Sequence, residues 1–303
     1  MPETSAPASA LSSPHQLACL EVWGGSRAFE GWLSVPGNDV HVSCVPHDRS
    51  LDGGDLYYVS NCAAGAITRF VLADVSGHGE GVARVAAQLR SLMRRHINTA
   101  DQSVMAAALN AAFSGLDLNG RFATALLATY FAPTDHLIIC NAGHPRPLHF
   151  SARGSGWRFL DSYAAGVKSS RESARDSVGI ANLPLGVLHP SDYEQYALPL
   201  GRDDVVVLYT DAFIECRDPS GQELGESGLL ALLNELGRPE PDVLPGLLRD
   251  RLREHAGGTA MDDDATLLAL THNAADPPRA GLRERLHALA AQLGFGGTDS
   301  GPA

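Results

Sequence analysis

Cysteine is scarce in this chain: five residues among 303, at Cys19, Cys44, Cys62, Cys140 and Cys216, never as a C-x-x-C pair. An odd, dispersed set excludes a disulfide framework and a zinc site and points to a reducing cytoplasm. Long apolar runs are lacking too. The best, Ala123 to Phe131, is strand-sized, far short of the roughly 20 residues that cross a bilayer, so no membrane span is expected. Positive charge is in deficit, with 23 Lys+Arg against 35 Asp+Glu and a net charge of −12. That balance excludes a protein built mainly to grip nucleic-acid phosphates, and suits one that binds cations or stays soluble. Met1 to Pro14 is rich in Ala, Ser and Pro but lacks the basic-then-apolar order of a secretory signal. What the chain does have is 44% apolar residues, the share of a globular protein with a real core.

Residues 1–16 show no periodicity and are expected to form a flexible tail. Residues 17–272 form the presumed domain. Residues 273–303 read as a second tail, in which Leu282, Leu286, Leu289 and Leu293 recur at helical spacing and predict a short helix. Within the body, Leu56 to Ser60 and Ile67 to Val75 read as strands. Glu80 to Ile97 follows as an amphipathic helix, and Gln102 to Leu116 as a second helix capped by Asp101. Ala123 to Phe131 and His136 to Asn141 predict a hairpin over the turn Ala132–Asp135. Asp204 to Thr210 and Ala265 to Thr271 read as strands, with helices over Gly225 to Leu236 and Asp242 to His255; Ser151 to Val178 is a long polar stretch, partly loop. Helices arrive in pairs and strands in hairpin-like sets, so the expected fold is α+β, with mainly antiparallel sheets and helices packed outside.

The recurrent chemical event is an apolar strand that meets aspartate. Asp74 ends one strand, Asp211 follows another, Asp262-Asp263-Asp264 precedes a third, and Gly53-Gly54-Asp55 opens a fourth. A carboxylate at the end of a core strand is costly unless solvated, hydrogen-bonded or bound to a cation. Several that converge need a hard divalent ion such as Mg²⁺ or Mn²⁺. Any one of them also serves as an ordinary turn or helix cap. The stretch Asp74-Val75-Ser76-Gly77-His78-Gly79-Glu80-Gly81 lies between a strand and a helix, but Val82 breaks the dinucleotide-binding G-x-G-x-x-G. It holds neither a P-loop Lys-Ser/Thr pair nor a G-x-S-x-G elbow.

The ordered set LDGGD (51–55), LADVSGHG (72–79), RFATAL (121–126), NAGHPRP (141–147), LPLGV (183–187), YTDAFIE (209–215) and DDAT (263–266) resembles the SpoIIE-type branch of the bacterial PPM phosphatases. This branch is metal-dependent and acts on phosphoserine and phosphothreonine. The resemblance implies an α/β/β/α sandwich with two Mn²⁺ or Mg²⁺ ions in a cleft between the sheets. It also implies hydrolysis by metal-activated water, and a substrate like those of RsbU and RsbX: a phosphorylated anti-sigma-factor antagonist. By position, Asp74 would bridge both ions with the Val75 carbonyl as a further ligand. Asp55 would hold one ion, and Asp211 and Asp263 the other, with Asp264 replacing Asp263 if the register slips by one.

Two positions depart from the family pattern: Tyr58 stands where GGD-x-x-D has its last carboxylate, and Ala212 where TDG has glycine. They raise a second reading, a catalytically impaired phosphoprotein-binding module of the same fold. His78 and His144 are candidates to protonate the leaving oxygen, each set against a plain role in bonding its loop. Asn141 and Gly143 would shape a strand exit. Arg121 is either a phosphate contact or an exposed loop arginine, and Arg90, Arg94, Arg95 and His96 read as the solvated side of their helix. The stretch before Asp55 is too short for a separate sensor domain and linker.

Overall fold

The structure, a computed structural model, describes residues 20–47, 53–62, 66–77, 80–116, 118–154, 156–161, 168–169, 181–259 and 263–275. The expected N-terminal tail, His78, most of the stretch 162–180 and the expected C-terminal helix lie outside them.

Among the described residues, thirteen strands form two sheets in which every paired strand is antiparallel. The first sheet contains β1 (Leu20–Gly25), β4 (Asp55–Cys62), β5 (Ile67–Val75), β6 (Ala123–Phe131), β7 (His136–Ala142), β11 (Gln195–Pro199) and β10 (Lys168–Ser169), in that spatial order. The second runs β2 (Phe29–Val35), β3 (Asn38–Val45), β13 (Ala265–His272), β12 (Val205–Tyr209), β8 (Leu148–Ser151) and β9 (Gly156–Phe159). Helices α1 (Glu80–His96) and α2 (Gln102–Ser114) cover the outside of the first sheet. α4 (Gly225–Leu236) and α5 (Leu244–His255) cover the second, with the single turn α3 (Ala212–Glu215) beside them.

Strand alternation explains why so few positions suffice. In β5, Val71, Ala73 and Val75 face α1 and α2, while Phe70 and Leu72 face the opposite sheet. In β12, Val205, Val207 and Tyr209 face α4 and α5, whereas Val206 and Leu208 turn inward. Both faces are buried, so the strands read as continuous apolar runs rather than alternating ones. α1 presents Val82, Val85, Ala86, Leu89 and Met93 to its sheet; truncating the fully buried Leu89 to Ala would cost about 2–5 kcal/mol. Asp101 caps α2 by accepting from the amides of Ser103 and Val104 at 2.8 and 3.1 Å. The four layers are the expected α/β/β/α sandwich.

Several elements depart from the sequence reading. β1, β2, β3 and β11 have no counterpart in it, and the polar stretch begins with the β8–β9 hairpin, which packs against α4. The turn after β6 is a 3₁₀ turn, Ala132–Thr134, closed by Asp135 at φ 54°.

Candidate metal centre

The strand ends that carry aspartate meet at one end of the sandwich. β4 begins at Asp55 and β5 closes just past Asp74, and register makes these two direct cross-strand partners. Tyr57 and Leu72, two residues inward on each strand, belong to the core between the sheets, so both carboxylates point into that gap. From the other side, β12 runs into Thr210 and Asp211, and β13 starts just after Asp263 and Asp264. Like charges directly opposite on neighbouring strands repel. Among the described residues neither Asp55 nor Asp74 has a cationic partner.

The electrostatics record this crowding. Asp55 is 2% exposed, and its carboxyl is held well above the usual range by burial first and then by Asp74, with Thr266 and Thr210 opposing. The Thr210 hydroxyl donates to Asp55 Oδ2 at 2.9 Å and accepts from the Thr266 amide at 3.0 Å, joining the second sheet to the first. Asp74 is pushed up to about 7 by burial and by Asp211, Asp263, Asp264 and Glu215. Asp211 is pushed up to about 6 by burial, then by Glu215 and Asp263. Glu215, which sequence reasoning did not single out, lies one helical turn beyond Asp211, whose carbonyl accepts its amide at 2.9 Å. That i, i+4 spacing was the available signal.

A cradle for a hard cation is visible at Gly54. A side chain there would begin 3.0 Å from Val82 Cγ1, 3.1 Å from the Val75 carbonyl oxygen and 3.3 Å from Asp74 Oδ1, so these two oxygens face the same small space beside the Val82 methyl. The donor set is all oxygen, as Mg²⁺ and Mn²⁺ prefer, and these residues fit such ions. Among the described residues, no three His, Cys, Asp or Glu side chains are gathered closely enough to enclose one ion as they stand.

Asp263 and Asp264 part company. Asp264 accepts the His47 amide on Oδ1 at 2.6 Å and the Gly54 amide on Oδ2, and a side chain on Gly53 would collide with it. Both of its oxygens thus hold the turn before β4. Asp263 is exposed and, among the described residues, accepts the neighbouring Asp264 amide alone, at 2.8 Å.

The fold accommodates both departures from the family pattern. Tyr58 lies on the opposite face of β4 from Asp55, 2% exposed within the core under α1 and α2. Ala212 is the first residue of α3, outside the left-handed region, so glycine is not required. Arg121 is half-buried, its guanidinium lying 3.0 Å from where a side chain on Gly81 would begin. Asn141 and Gly143 shape the exit from β7, as described below for His144. That imidazole is buried and driven down to about 3 by burial, which disfavours its charged form. No helix among the described residues is long and apolar enough to cross a membrane.

Comparison with known proteins agrees with this fold. The structure of the RsbU and RsbW domains of Rv1364c from Mycobacterium tuberculosis matches with a TM-score of 0.62 at 23% identity, covering 89% of this chain and 66% of that one. RsbX in complex with magnesium matches with a TM-score of 0.55 at 14% identity, over 80% and 99% of the two chains. The PP2C phosphatase domain with a fragment of the regulatory domain of SpoIIE from Bacillus subtilis gives 0.61 at 14% identity, over 80% and 64%. At such identities these likenesses show the fold, and this chain spans only about two thirds of the first and third. The profile of the family described as Stage II sporulation protein E (SpoIIE) matches residues 65–273. The chain therefore belongs to the SpoIIE family, a branch of the PPM, or PP2C-type, phosphatases.

Proposed function

We propose that this chain is a divalent-metal-dependent phosphatase of phosphoserine and phosphothreonine, acting in the cytoplasm on a regulatory protein of the anti-sigma-factor-antagonist kind. One observation carries the reading: Asp55 and Asp74 oppose each other across central strands, with Asp211 and Asp263 facing them and no described cation to neutralise the group. A fold that keeps this repulsion must gain from what the carboxylates bind. Asp74 would hold both Mn²⁺ or Mg²⁺ ions with the Val75 carbonyl as a further ligand, Asp55 one of them, and Asp211 and Asp263 the other. Asp264 is assigned the turn rather than an ion, because its oxygens already accept two amides. Two such ions would supply an activated water and electrostatic stabilisation for a phosphate ester. The Thr210 hydroxyl donates to Asp55 and Thr266 acts on the same carboxylate, so the two together orient it.

A magnesium-bound relative, RsbX, supports the choice of cation, and a chain with RsbU and RsbW domains supports the substrate class. Tyr58 points away from the centre and Ala212 is unstrained, which supports the enzyme over the impaired binding module. The test is phosphate release from p-nitrophenyl phosphate and from phosphorylated anti-sigma-factor antagonists of the same genome, with Mn²⁺ and with chelator. Metal-stimulated turnover that disappears in Asp74→Asn and Asp211→Asn is the expected result. Tight phosphopeptide binding with no turnover would establish the binding module instead.

A further inference from the structure

Two side chains bridge the sheets beside the centre. One is Thr210. The other is His144, from the NAGHPRP motif, to which the proposed function gives no task. Its backbone is fixed on both sides: its amide donates to Asn141 Oδ1 at 2.7 Å, and its carbonyl accepts from Asn141 Nδ2 at 2.9 Å. Gly143 before it holds φ +69°, with the Pro184 ring where a side chain would begin. The ring is 5% exposed, and its Nδ1 lies 2.8 Å from Thr124 Oγ1. Thr124 is the cross-strand partner of Asp74 on β6. On its other edge, Nε2 is buried with no partner in hydrogen-bond geometry, while the Tyr209 main-chain carbonyl acts on the ring. Tyr209 ends β12, two residues before Asp211. A buried ring nitrogen without a full partner costs free energy, so its presence here asks for a role.

We propose that His144 is a positioning residue, bridging Thr124 beside Asp74 to the Tyr209 carbonyl before Asp211 and so fixing the spacing between the two halves of the metal centre. This inference rests on the metal-dependent reading above. In this role the ring exchanges no proton: the proposed tautomer has Nδ1 accepting from the Thr124 hydroxyl and carries its N–H on Nε2, the edge toward Tyr209. Groups placed behind metal ligands in this way set ligand geometry without touching the ion.

The experiment measures Mn²⁺ binding to the purified full chain from the electron paramagnetic resonance signal of free Mn²⁺, with thermal unfolding and p-nitrophenyl phosphate turnover alongside. His144→Phe removes both contacts and Thr124→Val one of them. His144→Asn keeps an acceptor near Nδ1, and His144→Gln a donor near Nε2. His144→Phe and Thr124→Val should each weaken Mn²⁺ binding by about tenfold to a hundredfold, the usual range for such supporting groups. Their double variant should be no weaker than His144→Phe alone, because both break one bridge. His144→Asn and His144→Gln should each recover part of the loss, and the pH profile of turnover should keep its shape. Wild-type affinity in folded His144→Phe, or additive losses in the double variant, overturns the proposal. Should His144→Phe not fold, unchanged affinity in Thr124→Val overturns it alone. If the unmodified chain binds no Mn²⁺, the metal-dependent reading falls and this inference with it.

Discussion

Replacing Asp74 by Asn should make the metal-free protein more stable while removing its function. The Asp74 carboxyl moves from 3.8 to about 7 on folding, through burial and the surrounding acids. Between those values the folded chain keeps a proton that the unfolded chain has lost. Metal-free stability therefore falls as pH rises through this window and stays low above about 7. At ~1.4 kcal/mol per unit the full displacement would oppose folding by roughly 4 kcal/mol. Because neighbouring acids share the repulsion, about 2 kcal/mol is the expected net gain when the charge is deleted. Asn has nearly the same shape and no charge. In chelator at pH 8 its melting temperature should exceed that of the unmodified chain by about 4–8 °C, and the two should converge near pH 4. Mn²⁺ should raise the melting temperature of the unmodified chain and not that of the variant, whose p-nitrophenyl phosphate turnover should fall to background. A lower melting temperature for Asp74→Asn in chelator at pH 8, or metal-stimulated turnover that survives, would refute the reasoning.

Other substitutions separate ligands from supports. Asp264→Ala should destabilise the fold by about 2–4 kcal/mol, since two amides lose a charged acceptor, whereas Asp263→Asn should leave the melting temperature nearly unchanged and weaken Mn²⁺ binding. Tyr58→Phe should keep metal-stimulated turnover. Tyr58→Asp, which restores the family pattern, should destabilise the chain by burying a carboxylate under α1 and α2; equal stability of the two in urea would contradict the placement of that side chain. Gly54→Ala should fold yet bind Mn²⁺ several-fold more weakly, because its methyl would fill the space between Val75 and Asp74; a titration matching the unmodified chain would remove that cradle from the site.

Much of the fold was legible because periodicity is a local property. β5, α1, α2, β6 and β12 announce themselves through apolar spacing, and Asp101 through its cap. β1, β2 and β3 do not. β2 alternates half-buried with exposed positions, as FEGWLSV, a weak signal for a strand whose stability comes from pairing with β3 along its whole length. β11 is short, and its burial depends on β7, far earlier in the chain. For the site, the strand-end aspartates could be read from sequence, but their division of labour could not. That Asp264 holds a turn and Asp263 does not is set by two amides over 200 positions away. Which face Tyr58 occupies likewise depends on counting from Asp55 along a strand whose start had to be known.

Glu215 shows how a charge at the end of a motif can matter without a ligand role to mark it. It stands one turn after Asp211, exposed, and after burial its charge is the foremost cause of the rise in the Asp211 carboxyl. It also contributes to the rise at Asp74. Two roles are open to an acid in that position, and they differ in outcome. As a neighbour that only adds negative potential, Glu215→Gln should let Asp211 ionise at lower pH, so the pH at which metal-free stability is lost should shift downward. Mn²⁺ binding should then weaken only a few-fold, roughly 1 kcal/mol, with turnover at saturating Mn²⁺ unchanged. As a ligand, its loss should leave turnover low at any Mn²⁺ concentration. Exposure favours the first outcome: Asp211 leads α3 beside the strand ends, while Glu215, one turn later, is in contact with solvent. Turnover measured across a Mn²⁺ series therefore decides whether this carboxylate shapes the field of the centre or belongs to it.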